Sequence, residues 1–185
     1  MGLNNPGQAV ATDGSDNFIV AGVFGGALAG HNLTATGTAD THLAKYDKNG
    51  VLLWERTAGG TGISTTPIGV ETDAQGNIYV LGYFGGTGSN LTAAFGSKTV
   101  TAKSGNDAFL AKYDPTGAIL WVLSVGNTTG ATDERACDLT IDGAGKFYGK
   151  SVDFDPSDLA AYLSSAGQDD AFTGKYTSEG ALWTK

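Results

Sequence analysis

Three lysines, Lys45, Lys112 and Lys175, stand in nearly the same local text, Leu-Ala-Lys-Tyr twice and Thr-Gly-Lys-Tyr once. An amine among apolar neighbours can be a catalytic base or nucleophile. A catalytic lysine is needed once, however, so a lysine repeated in every copy of a motif is expected to make a structural contact. Its natural partners are the equally repeated Asp13, Asp73 and Asp142, in ion pairs or hydrogen bonds between neighbouring repeats. Asp40, Asp107 and Asp170 open their strands and are expected to accept backbone N–H groups in turns.

The candidate metal ligands are Asp153, Asp155 and Asp158, followed in the same unit by Asp169 and Asp170. Calcium takes several hard oxygen ligands from a flexible loop, and alternating aspartates supply them. The segment lacks the glycine and distal glutamate of an EF-hand loop, so a solvated acidic loop is the competing reading. The two histidines, His31 and His42, have no acid at a triad spacing. His42 aligns with Phe109 and Phe172, which predicts an aromatic packing role, and His31 lies in a Gly-rich connection. No phosphate loop, metalloprotease motif or nucleophile elbow is present. Carboxylate pairs for glycoside chemistry could meet only in three dimensions, and turn aspartates are the simpler account. The expectation is a protein that is not an enzyme.

The elements that position these residues are written repeatedly. Asp40 to Trp54, Asp107 to Trp121 and Asp170 to Trp183 are copies of one another, and they consume all 3 tryptophans of the chain. Each copy reads as a hairpin, with turns such as Tyr46-Asp47-Lys48-Asn49-Gly50 and Tyr113-Asp114-Pro115-Thr116-Gly117 between apolar strands. Ahead of each lies another hairpin: Gln8 to Phe24 around Gly14-Ser15-Asp16-Asn17, Gly69 to Phe84 around Ala74-Gln75-Gly76, and Asp138 to Val152 around Gly143-Ala144-Gly145. Every unit therefore holds four antiparallel strands in meander order. The units span approximately 8–60, 67–127 and 136–185. The repeat spacing, from Trp54 to Trp121 and from Trp121 to Trp183, is longer than the ~40–50 residues of the commonest propeller repeats. The excess is placed in a variable loop between the hairpins, such as Thr87 to Gly105.

In Ile78-Tyr79-Val80-Leu81-Gly82-Tyr83-Phe84 neither alternate set of side chains is polar, as in a sheet covered on both faces. Stacked four-stranded sheets of this kind are β-propeller blades. The fold class is thus all-β and β-propeller-like, with three four-stranded antiparallel blades per chain.

Composition sets outer bounds. The chain has 185 residues, 29 glycines and 4 prolines, which suits tight turns between short strands better than disorder. A formal net charge of -8 argues against nucleic acid and anionic membranes as partners. Cys137 is alone, which excludes an internal disulfide and a cysteine zinc cluster; it falls where Ile68 sits in the second unit and reads as a small buried hydrophobe. No apolar run approaches the roughly 18 residues of a membrane span. Met1 to Pro6 lacks the charged and apolar regions of a secretion signal, which fits a leader already removed or an excised piece.

The order Thr-Asp-x-x-Gly-Asn-Ile-Tyr-Val-x-Gly-Tyr-Phe at Thr72 to Phe84, then Asp-Ala-Phe-Leu-Ala-Lys-Tyr-Asp-x-x-Gly-x-x-Leu-Trp at Asp107 to Trp121, resembles the repeat of secreted bacterial seven-bladed β-propellers (the SBBP repeat). Val152 to Pro156 also resembles a segment of that repeat. The likeness runs over nearly all of Gln8 to Trp183; the third unit departs from it at Lys146 and at Thr177-Ser178-Glu179-Gly180. It implies a propeller fold at the cell surface or outside the cell, and no particular activity.

Propellers close with about four to eight blades, so three leave terminal sheet faces to be covered. The expectation is a non-enzymatic extracellular scaffold whose first partner is itself, a dimer of chains giving a six-bladed ring. The alternatives are a glycan-binding lectin with loop sites near Tyr162 or Asn90, a subunit of an open surface filament, and a fragment of a larger propeller. Beyond itself, the expected partners are a glycan or a cell-surface protein. No cofactor is expected, calcium being the one candidate.

Overall fold

The computed structural model describes residues 7–126, 136–140, 146–150 and 171–175. The first unit is a meander of β1 (Gly7–Thr12), β2 (Phe18–Phe24), β5 (Asp40–Tyr46) and β6 (Leu52–Gly59), paired in that order. Between β2 and β5 it carries a small hairpin of β3 (Ala27–Leu28) and β4 (Leu33–Thr34). The second unit repeats the meander with β7 (Ser64–Thr72), β8 (Ile78–Phe95), β9 (Lys98–Tyr113) and β10 (Ile119–Val125). A third sheet orders β11 (Ala136–Thr140), β12 (Lys146–Lys150) and β13 (Ala171–Lys175), and β11 lies beside β7 and β8. The chain is all-β, and its meanders form a partial β-propeller.

One device makes four of the turns. Asp13 Oδ1 accepts the N–H groups of Ser15 (2.8 Å) and Asn17 (3.1 Å), and Asp73 Oδ1 those of Gln75 (3.0 Å) and Asn77 (2.8 Å). Asp47 and Asp114 do the same for Asn49, Val51, Thr116 and Ala118. A carboxylate that satisfies two turn amides fixes the reversal before any tertiary contact forms.

The connection from Thr87 to Gly105, read from the sequence as a loop, is instead strand: β8 and β9 pair continuously out to Phe95 opposite Lys98. A bulge between Gly86 and Ser89 bends this long hairpin. Its tip then turns back onto β6, where Ala58 pairs with Phe95 and Gly59 with Ala94. Burial explains the strand, because Ala93, Phe95, Val100 and Ala102 fall on one face of the ladder and are buried in the core.

That core lies between the first two units. The first contributes Ile19, Ala21, Leu43 and Ala58 from one face of its sheet, and the second contributes Val70, Ile78, Val80, Phe109, Ala111 and Tyr113 from the facing side. Blade-on-blade packing therefore supplies the interior, as a propeller requires.

Candidate functional site

The seam between the units is built from repeat-specific side chains. Trp54 Nε1 donates to the carbonyl of Pro115 at 3.2 Å, Arg56 Nε to Gly117 at 2.8 Å and Arg56 Nη2 to Thr116 at 3.0 Å. The β9–β10 turn of the second unit thus presents three successive carbonyls to the last strand of the first. Gly117 makes the approach possible, since it has φ 80° and a Cβ there would stand 2.9 Å from the Trp54 ring. At the other end Thr65 Oγ1 accepts from Thr41 N (3.0 Å) and donates to Ala58 O (2.5 Å), tying β7 to β5 and β6.

Lys45 Nζ lies 2.8 Å from Asp13 Oδ2 and Lys112 Nζ 3.9 Å from Asp73 Oδ2, all four side chains being buried. Both pairs lie within a unit rather than between units, because the first and third strands of a meander flank the second. Lys45 also reaches across the seam to Pro115 O at 3.4 Å. Burial by itself would raise the Asp13 carboxyl, but Lys45 and the N–H groups of Asn17 and Ser15 outweigh it and hold it well below the usual aspartate value. Asp40 accepts from Thr36 and Gly37. Gly59 and Gly126 are each pressed against a carboxylate, Asp40 and Asp107 respectively, at distances that a Cβ would violate. Asp142, Asp153, Asp155, Asp158, Asp169, Asp170, Tyr162 and Trp183 lie outside the described residues, as do the side chains of Cys137 and Lys175. Trp121 meets Tyr79 edge to face, ring centroids 6.0 Å apart.

The structure brings together three residues that the sequence reading kept apart. Glu55 Oε2 is 2.5 Å from His31 Nδ1 and 3.1 Å from His42 Nε2. His42 comes from β5 and Glu55 from β6, where the register pairs Glu55 with Ala44, so the two are diagonal neighbours on one sheet face. His31 reaches them from the β3–β4 turn, which folds over that face. His42 keeps its aromatic packing as well, edge-on to Phe24 with centroids 6.1 Å apart. Burial pushes the His42 imidazole down from its ordinary pKa against the opposing pull of Glu55. Burial would raise the Glu55 carboxyl, yet the hydrogen bonds from His42 and His31 hold it below the usual glutamate value. An open groove of about 500 Å³ runs beside the cluster, with Leu33, Glu55, Arg56, Tyr113 and Ile119 in its walls. The cluster has two nitrogens and one carboxylate, a donor set for a cation.

No protein-family model matches the chain. An alignment 132 positions long that covers 64% of this chain is 30% identical to an uncharacterized WD repeat-containing protein of Acanthamoeba polyphaga mimivirus. WD repeats build four-stranded propeller blades, the unit seen in both complete meanders. The fold is a propeller-like repeat. The chain spans 9% of that viral relative's length. Among the described residues no helix is long and apolar enough to cross a membrane.

Proposed function

We propose that the chain is a non-enzymatic propeller scaffold whose open blade face takes up the last blade of a second copy, so that two chains complete a six-bladed ring. One observation carries this reading. Val70 and Ile78 of the second unit are 4% and 0% exposed beneath the first unit, whereas their repeat counterparts Val10 and Phe18 are 65% and 41% exposed. The turn that would receive a neighbour is in place too: Gly50, the counterpart of Gly117, has open space where Gly117 meets Trp54. Trp183 and Lys185 hold the repeat positions of Trp54 and Arg56, which supplies an indole and a cation for the Asp47–Val51 turn of another copy. Two chains give a blade number inside the usual range of about four to eight. A place at the cell surface or outside the cell belongs to the same proposal and rests on the resemblance to secreted propellers.

The test is the native mass of the chain by light scattering across a dilution series, repeated with Phe18→Asp. A stable mass of two chains that falls to one in the variant is the expected result. One chain at every concentration overturns the proposal. A ladder of masses replaces the closed ring by an open, head-to-tail filament.

A further inference from the structure

Several features of the described residues could carry a function: the groove at the seam, the paired Asp13–Lys45 and Asp73–Lys112, the carboxylates held against Gly59 and Gly126, and the cluster on the first unit's open face. The cluster goes furthest, because its residues stand where the repeat elsewhere has hydrocarbon.

In the second unit Phe109 lies between Phe84 and Phe95, with ring centroids 6.5 Å and 4.8 Å away. In the first unit His42 lies between Phe24 and His31 at 6.1 Å and 5.3 Å. Both are clusters of three rings meeting at steep angles, the third ring coming in each unit from the segment between the second and third strands of the meander. Two of the three rings have become imidazoles. At the adjacent position of the last strand, where the second unit has Val122, the first has Glu55. Two aligned positions, His42 for Phe109 and Glu55 for Val122, and a third ring, His31, brought in by the β3–β4 turn, put two imidazoles and a carboxylate where the second unit has carbon. Polar groups are costly on a face that is otherwise a packing surface, and the repeat shows that apolar residues fit there.

We propose that His31, His42 and Glu55 form a binding site for a divalent first-row transition ion of the zinc class. Nδ1 of His31, Nε2 of His42 and a carboxylate oxygen of Glu55 all lie within 4.8 Å of one another. A tetrahedral ion with bonds of about 2.0–2.2 Å holds its ligand atoms roughly 3.4 Å apart, so a small rotation of the Glu55 side chain makes room for it between the imidazoles. Imidazole ligands select zinc, cobalt, nickel or copper over calcium and magnesium, which prefer all-oxygen shells. Three protein ligands leave a fourth position for water or another small ligand. The ion replaces the present hydrogen bonds, tying the β3–β4 turn to β5 and β6.

The experiment uses the whole chain, free of any histidine tag and stripped with a chelator, titrated with Co²⁺ by visible absorption and with Zn²⁺ by calorimetry. The expected result is one equivalent per chain, a rise in Tm with Zn²⁺, and no response to Mg²⁺. Glu55→Gln keeps the shape of the cluster and is expected to weaken binding at least about tenfold. The double variant His31→Phe/His42→Phe installs the rings of the second unit and is expected to abolish saturable binding, circular dichroism confirming that it stays folded. If the double variant does not fold, Glu55→Gln alone decides. Equal affinity in the variants, or no saturable binding by the unaltered chain, overturns the proposal and leaves the cluster as a hydrogen-bonded triad.

Discussion

The first and second units are written from one pattern, yet the same sheet face is bare in one and buried in the other. Val10, Phe18 and Leu52 are 65%, 41% and 40% exposed, while Val70 and Ile78 are nearly or wholly buried and Ile119 packs against the core. The four meander strands pair in the same order in both, and the difference lies in what covers this face: the second unit has the first blade and its own β8–β9 tip there, and the first has no blade within the described residues. The difference extends to chemistry, since the covered face keeps three phenyl rings and the bare one has exchanged two of them for imidazoles.

The sharpest way to break the comparison is to truncate the equivalent residues Ile78 and Phe18. Ile78→Ala removes a fully buried side chain from the core between the units and is expected to lower stability by about 2–5 kcal/mol in urea unfolding. Phe18→Ala, on the bare face, is expected to cost about 1 kcal/mol or less in dilute protein. Its cost should grow with protein concentration wherever copies associate, because association is what buries Phe18. Equal costs at low concentration would mean that the two faces are not in different environments, and Phe18 would then have a cover within its own chain.

Much of this was legible in the sequence. Repeated Asp and Gly positions mark the turns because each acts locally: a turn aspartate satisfies amides two and four residues ahead of it, and Gly50 and Gly117 close their turns at positive φ. The long β8–β9 hairpin was not legible. Gly85, Gly86 and Gly88 carry loop chemistry, and only the packing of Phe95 and Ala93 against the core makes strand of the residues between Gly88 and the hairpin tip. The His31–His42–Glu55 cluster was missed for a different reason. Its members lie 24 and 13 residues apart and meet through a diagonal across β5 and β6 and a folded-over turn. A signal existed in the alignment of the repeats, where Glu55 falls opposite Val122 just as His42 falls opposite Phe109. Two polar replacements on the same face of adjacent strands point to a shared site.

A second intervention loosens the cover itself. Thr65→Val deletes the hydroxyl that links Thr41 N–H to Ala58 C=O and leaves both backbone groups buried without that partner. Each unsatisfied group costs at least about 1 kcal/mol, so a loss of at least about 2 kcal/mol is expected. Hydrogen exchange should locate the loss at the seam, with amides of β5 and β7 exchanging faster and those of the Asp13 and Asp73 turns unchanged. Uniform acceleration throughout would show that Thr65 supports the global fold and not the blade-to-blade contact.

A third intervention concerns the Lys–Asp pair that both units share, tighter in the first unit at 2.8 Å than in the second at 3.9 Å. Asp13 is held below its ordinary pKa in the folded chain, so its ionised form stabilises the fold. That contribution is complete above about pH 4, the ordinary aspartate range, and is lost as the pH falls through the depressed folded value. Lys45→Met removes the cation and keeps the aliphatic stem, while Ser15 and Asn17 still bond the carboxylate. The variant is expected to be less stable by about 1.5–3 kcal/mol at pH 7, as for a hydrogen bond to a charged group. At acid pH, as it falls toward that depressed folded value, the gap should narrow, because a protonated Asp13 leaves Lys45 as a buried charge without its counter-ion in the unaltered chain. Urea unfolding at the two pH values measures both gaps. A gap that does not change with pH would mean that Lys45 acts through its packing and its bond to Pro115 O across the seam, and the pair would then belong to the contact between units rather than to the first unit alone.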